Sequence, residues 1–151
     1  MPQSLSRILV HTVFSTKSRE PFLTDKAVRE EMHAYIAGTC TKLGSPSMVV
    51  GGVADHVHIL CALSKNVAVA KFVYDVKRSS SKWIKTKGHN FAVFHWQNGY
   101  GAFSVSESQV TRVKAYIANQ EQHHRKLTFE EEFRRFLKAH PVEYDERYVW
   151  D

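Results

Sequence analysis

The stretch PSMVVGGVADHVHILCAL, residues 46–63, constrains the fold more than any other part of the chain. It contains two apolar runs of strand length, 47–53 and 56–63, with only Ala54 and Asp55 between them. Two strands joined or bulged through so short a GGVAD region are expected to be neighbours in one sheet. The second run carries His56 and His58 among Val57, Ile59 and Leu60. Residues i and i+2 of a strand share a face, so both imidazoles project together while Val57 and Ile59 turn to the other side. A buried imidazole needs a partner. Two readings stay open on this evidence: hydrogen-bonded histidines inside a sheet, or a pair that grips a divalent metal with further ligands.

The flanking sequence completes the architecture. Residues 6–15 are rich in Ile, Val and Phe and predict a first strand. REPFLTD then turns, with Thr24 or Asp25 as N-cap. Val28, Met32, Tyr35, Ile36 and Leu43 follow at helical spacing, and Gly44 stands where a helix-ending glycine belongs. A second helix is expected over 67–85, with Val69, Phe72, Val73, Val76 and Trp83 facing the core. FAVFHWQNGYGAFSVS predicts a further strand, broken at its Asn-Gly-Tyr-Gly turn. Ser106 and Gln109 form a capping-box pattern that opens a third helix reaching about residue 124. A last amphipathic helix covers 129–140, before an aromatic, charged tail. The order βαββαβ predicts an α+β, ferredoxin-like (split βαβ) antiparallel sheet with helices mainly on one face. The other face is expected to be free for a ligand or a second subunit. One domain over 1–151 is expected, its C-terminal helix and tail starting near 127.

Charge narrows the partners. Lysine and arginine exceed the acids by six, and the pI is near 9.4, which favours a polyanion such as nucleic acid. Cys40 and Cys61 are far apart and form no CxxC pair, so thiolate zinc is not expected. The first residues are too polar for a signal peptide, no run has transmembrane length, and a cytoplasmic location is expected. No phosphate-binding P-loop is present, so no nucleotide cofactor is expected.

The third helix reads VTRVKAYIANQEQHH, in which Val110, Val113 and Ile117 form a core stripe. Tyr116 and Gln120, four apart, share a neighbouring face. A phenol with a pKa of roughly 10 is a poor nucleophile at neutral pH unless a metal polarises its target. An apolar strand with His-hydrophobic-His, followed by a helix with Tyr-x-x-x-Gln, resembles the single-tyrosine HUH transposases of insertion sequences, including those associated with repetitive extragenic palindromes. GGVADHVHIL, WQNGYGAFSVS, VKAYIANQEQHHRKLTFEEEF and the closing EYDERYVW resemble segments of that family in the same order. The resemblance implies that His56, His58 and Gln120 hold Mg²⁺ or Mn²⁺. It implies that Tyr116 attacks single-stranded DNA at hairpin-bearing ends, forming a 5′-phosphotyrosine and a free 3′-hydroxyl. It also implies a homodimer that pairs sheets edge to edge, in which the tyrosine helix of one subunit can complete the site of the other.

The second helix fits a DNA role through Lys71, Lys77, Arg78, Lys82 and Lys85, which would hold phosphates and make binding salt-dependent. A Lys-rich helix face is also what a merely solvated helix shows. Trp96 and Tyr100 are candidate stacking residues. Tyr100 is the alternative nucleophile, without a ligand partner four residues on. His123 and His124 are expected at the surface or on phosphates rather than on the metal. A relative that binds or processes hairpin repeats without transposition is the alternative to an active transposase. An RNA-binding ferredoxin-like domain ranks last, because it leaves Tyr116 and Gln120 without a role.

Overall fold

The computed structural model describes residues 2–151. Strands β1 (Ile8–Ser15), β2 (Ser47–Val53), β3 (His56–Leu63) and β4 (Gly101–Val105) form one antiparallel sheet in the order β2-β3-β1-β4. This is the ferredoxin-like order, reached through helix α1 (Lys26–Lys42) after β1 and helix α2 (Val69–Ile84) after β3. The Ala54-Asp55 link pairs Val53 with His56, so the second and third strands stand as the sequence predicts.

One face of the sheet carries α1 and α2. Asp25 caps α1 by accepting from the amides of Ala27 and Val28, and Gly44, at φ 65°, follows the helix in the left-handed conformation. Met32, Ile36 and Cys40 of α1 meet Phe72, Val73 and Val76 of α2 over Phe14, Val57 and Ile59. Trp83 stays half-buried at the rim, stacked on Tyr35 with ring centroids 5.3 Å apart, rather than in the core. No strand precedes the Asn-Gly-Tyr-Gly turn. Phe91, Phe94 and Trp96 instead plug this core from a loop, with one bridge between Trp96 and Thr16 and an indole N–H donated to Ser80 Oγ at 3.0 Å.

The opposite face, expected to be free, is covered. Helices α3 (Val110–Ala118), α4 (Gln120–His123) and α5 (Phe129–Ala139) lie there. Val13 and Phe103 of the sheet pack against Phe129, Phe133 and Leu137 of α5 in a second core, with Trp150 of the tail beside them. The single third helix of the sequence reading comes in pieces. Ser106 bonds the Ser108 hydroxyl instead of capping, a 3-10 turn covers Glu107–Gln109, and Asn119 (φ −102°, ψ 23°) separates α3 from α4. Among the described residues, no helix is long and apolar enough to cross a membrane.

Candidate active site

Strand alternation sends His56 and His58 toward the α3–α5 face, and both are fully buried. Gly51, paired with His58, is what lets the tyrosine helix come close. A Cβ there would lie 2.6 Å from the carbonyl oxygen of Ile117, the residue after Tyr116. On the far side, Arg29 of α1 donates to Glu121 at 2.6 Å and to the Leu23 carbonyl at 2.8 Å, which pins the start of α4. The break at Asn119 therefore does not separate Tyr116 from Gln120; both still turn to the histidine pair.

Each imidazole is held from behind. His56 Nδ1 lies 2.7 Å from Asp55 Oδ1, and His58 Nδ1 lies 2.8 Å from His11 Nε2. Such outer contacts fix ring orientation and leave the Nε2 atoms pointing forward. In front, His56 Nε2 meets Gln120 Oε1 at 3.0 Å. The residue that joins the set is Glu132 of α5. Its Oε1 lies 2.9 Å from His58 Nε2 and 3.4 Å from His56 Nε2. Its Oε2 accepts from Gln120 Nε2 at 3.1 Å and from the Tyr116 hydroxyl. His124 also belongs here rather than at the surface. Its ring packs on that of His56 at 4.4 Å, and its Nε2 lies 3.2 Å from Glu132 Oε2. His123 instead packs on the Tyr116 ring at 4.5 Å.

The electrostatics follow from burial and from these contacts. Burial opposes charge on His56, yet hydrogen bonds to Asp55 and Glu132 outweigh it and raise its pKa to about 9. Burial keeps His58 below its ordinary value, although Glu132 pulls the other way. Burial also works against the Glu132 charge, but the imidazoles of His124, His56 and His58 hold that carboxyl well below the usual range. The Tyr116 phenol is pushed up by burial and by the facing Glu132 charge.

The donor set suits a divalent cation. His56, His58, His124 and Glu132 each place one ligand atom within 4.8 Å of the others, and Gln120 adds an amide oxygen. Imidazole nitrogen with carboxylate and amide oxygen is acceptable to Mn²⁺ and Mg²⁺. Next to the cluster, a groove of about 820 Å³ opens onto Tyr116 and Glu132, bordered by Phe103, Arg112, Arg135 and His140.

Sequence reasoning brought His56, His58, Tyr116 and Gln120 together, and the structure joins all four within one chain. It did not find Glu132, which looks like one more acid in a run of three. A signal was present: Phe129, Phe133 and Phe136 form a helical stripe, and position 132 falls inside it. The five basic residues, four in α2 and Lys85 just after it, lie elsewhere. Their helix packs on the Val57–Ile59 face, across the sheet from Tyr116. Lys77 donates its ammonium protons to the carbonyls of Gln97, Asn98 and Gly99, and Lys71 pairs with Asp75 at 2.9 Å. Trp96 is buried, and Tyr100 stands at the surface with Lys77 over its ring.

Fold and site define an α+β ferredoxin-like domain in which paired strand histidines face a tyrosine hydroxyl. The profile of the family described as "Transposase IS200 like" matches residues 4–120, and the chain belongs to that family. No curated protein matches it. Among solved structures it is similar to a candidate transposase from Deinococcus radiodurans R1, with 21% identity and a TM-score of 0.61 over 80% of this chain and 95% of that one. It is also similar to a REP-associated tyrosine transposase bound to a REP hairpin, with 11% identity and a TM-score of 0.58 over 82% of this chain and 74% of that one.

Proposed function

We propose that this IS200-like transposase cuts and rejoins single-stranded DNA at hairpin-bearing ends through a 5′-phosphotyrosine on Tyr116. The observation that carries this reading is the meeting of His56, His58, Gln120 and Tyr116 around one point within a single chain of this family. A similar fold bound to a REP hairpin supports hairpin DNA as the substrate. A Mg²⁺ or Mn²⁺ ion held by His56, His58 and Gln120 supplies Lewis-acid stabilisation of the phosphate oxygens when bound.

The chain's own residues do the rest. The groove beside Tyr116 admits the strand, and Arg112 and Arg135 at its border attract phosphate. Asp55 and His11 hold the two imidazoles in place. The Tyr116 oxygen attacks phosphorus and the 3′-oxygen leaves. The proton lost by the phenol and the one gained by the leaving oxygen balance, so the step is a transesterification that needs no ATP. The reverse attack by a 3′-hydroxyl joins strands. The domain runs over 1–151, with the C-terminal helix and tail included. A homodimer pairing sheets at the edge strands β2 or β4 is part of the same reading.

The test is a denaturing gel of the protein with labelled hairpin oligonucleotides taken from palindromes flanking the gene. A metal-dependent covalent band that disappears in Tyr116→Phe and in His56→Ala is expected. A band that persists in Tyr116→Phe would move the nucleophile elsewhere. Tight hairpin binding without any band would leave a binding protein.

A further inference from the structure

Resting on that reading, we propose that His124 and Glu132 complete the cation site, and that the Glu132 carboxylate bridges the cation and the Tyr116 nucleophile. Both residues lie beyond the segment matched by the family, which ends at Gln120.

The first argument is charge. As metal ligands the imidazoles of His56 and His58 must be neutral, so with an amide oxygen they give a hard divalent cation no anionic ligand, and such ions favour carboxylates. Glu132 is the one carboxylate placed among these donors, and it is only 1% exposed. A carboxylate buried that deeply needs cationic compensation, which a divalent ion provides.

The second argument is spacing. Around an ion with ligand bonds of about 2.1 Å, adjacent donor atoms stand roughly 3 Å apart. The separations here are 2.9 Å for His58 Nε2 to Glu132 Oε1, 3.0 Å for His56 Nε2 to Gln120 Oε1, and 3.2 Å for His124 Nε2 to Glu132 Oε2.

The third argument is an unpartnered atom. His124 Nε2 is buried, on a side chain 9% exposed, and makes no aligned hydrogen bond although it aims into the cluster. Its Nδ1 is already committed to the Leu127 carbonyl at 2.6 Å, which fixes the ring so that Nε2 faces inward. This is the arrangement of a metal-binding histidine, one nitrogen held by the backbone and the other free.

The two oxygens of Glu132 have different tasks. Oε1 faces His56 and His58, while Oε2 accepts from Tyr116 and Gln120. One carboxylate thus ties the nucleophile to the ion, and the groove remains the route by which phosphate reaches both. Glu132 is in this sense a positioning residue for Tyr116.

The test uses Mn²⁺ and the full-length protein without DNA. Binding is followed by the electron paramagnetic resonance signal of free Mn²⁺, and bound imidazoles are counted from nitrogen couplings in pulsed spectra. Glu132→Gln keeps size and a hydrogen-bonding oxygen, and His124→Asn keeps a donor near the Nδ1 position while deleting Nε2. Thermal melting checks that both fold. The wild type is expected to bind one Mn²⁺ with three imidazole nitrogens. Glu132→Gln should weaken binding at least tenfold, and His124→Asn should weaken it and lose one coupling. Equal or tighter binding by Glu132→Gln would overturn the proposal and make the carboxylate a plug that excludes the ion. Two couplings in the wild type would overturn the role of His124. No Mn²⁺ binding without DNA would overturn the five-residue site, yet leave the Tyr116 adduct assay free to succeed with DNA phosphate in the shell.

Discussion

Lys77 shows how far a residue's role depends on where its helix sits. In the sequence it is one of five basic residues on a helix suited to DNA. In the fold its Nζ reaches the carbonyls of Gln97 at 2.7 Å, Asn98 at 3.2 Å and Gly99 at 2.6 Å, and lies over the Phe14 ring at 5.1 Å. Burial lowers its pKa to about 8. The side chain thus closes the loop before β4 onto α2. Lys77→Met keeps the aliphatic stem and leaves three carbonyls without their donor, which should cost about 2 kcal/mol in urea denaturation. The same variant should leave the salt dependence of hairpin binding unchanged. A flatter salt dependence in filter binding would return Lys77 to the DNA contacts. Nothing in the sequence distinguishes this lysine from Lys71 or Lys82, because three backbone carbonyls twenty residues away leave no mark in composition.

At the scale of elements, the site depends on how closely α3 approaches the sheet. Gly51 permits that approach, since a methyl group there would lie 2.6 Å from the Ile117 carbonyl oxygen and 2.9 Å from Ile117 Cγ2. Gly51→Ala should cost about 2 kcal/mol through overpacking and should slow adduct formation well beyond that loss of stability, because Tyr116 moves with Ile117. Thermal melting and adduct rates on one preparation would check it; full activity with a normal melt would mean that α3 adjusts without displacing the tyrosine. Elements with a clear period were legible beforehand. The β2–β3 pair and the start of α1 at Asp25 lie where alternation and capping place them, because both signals are local. The break at Asn119 was not legible, since a single asparagine is tolerated within helices. Nor was the loop at Phe91–Trp96, whose aromatic run resembles a strand but is held by tertiary packing against Phe14 and Ser80. Glu132 was missed because its partners come from β3, α3 and α4, none of them on its own helix.

For the whole molecule, the sheet divides the labour between its faces. The α1–α2 face is a mainly apolar core, with the buried Ser80 hydroxyl satisfied by Trp96, that fixes β3 from behind. The α3–α5 face mixes a smaller core with the polar cluster, and α5 belongs to both. The tail secures that helix: the Trp150 ring lies against Phe129 and Phe133, Arg134 stacks on it at 5.0 Å, and its carbonyl accepts from Arg19 at 3.1 Å. The chain beyond the family match is therefore a structural wall of the site. Phe133, buried between Phe103, Phe129 and Trp150, is the residue on which that wall rests. Phe133→Ala should cost about 3 kcal/mol by opening a cavity in the smaller core. It should also weaken Mn²⁺ binding, though by less than Glu132→Gln, because α5 loses its seat while the carboxylate is kept. Urea denaturation and the Mn²⁺ titration, run on the same variant, separate the two effects. A destabilised protein with wild-type Mn²⁺ affinity would mean that the polar contacts of Glu132 hold α5 to the site without the aromatic core.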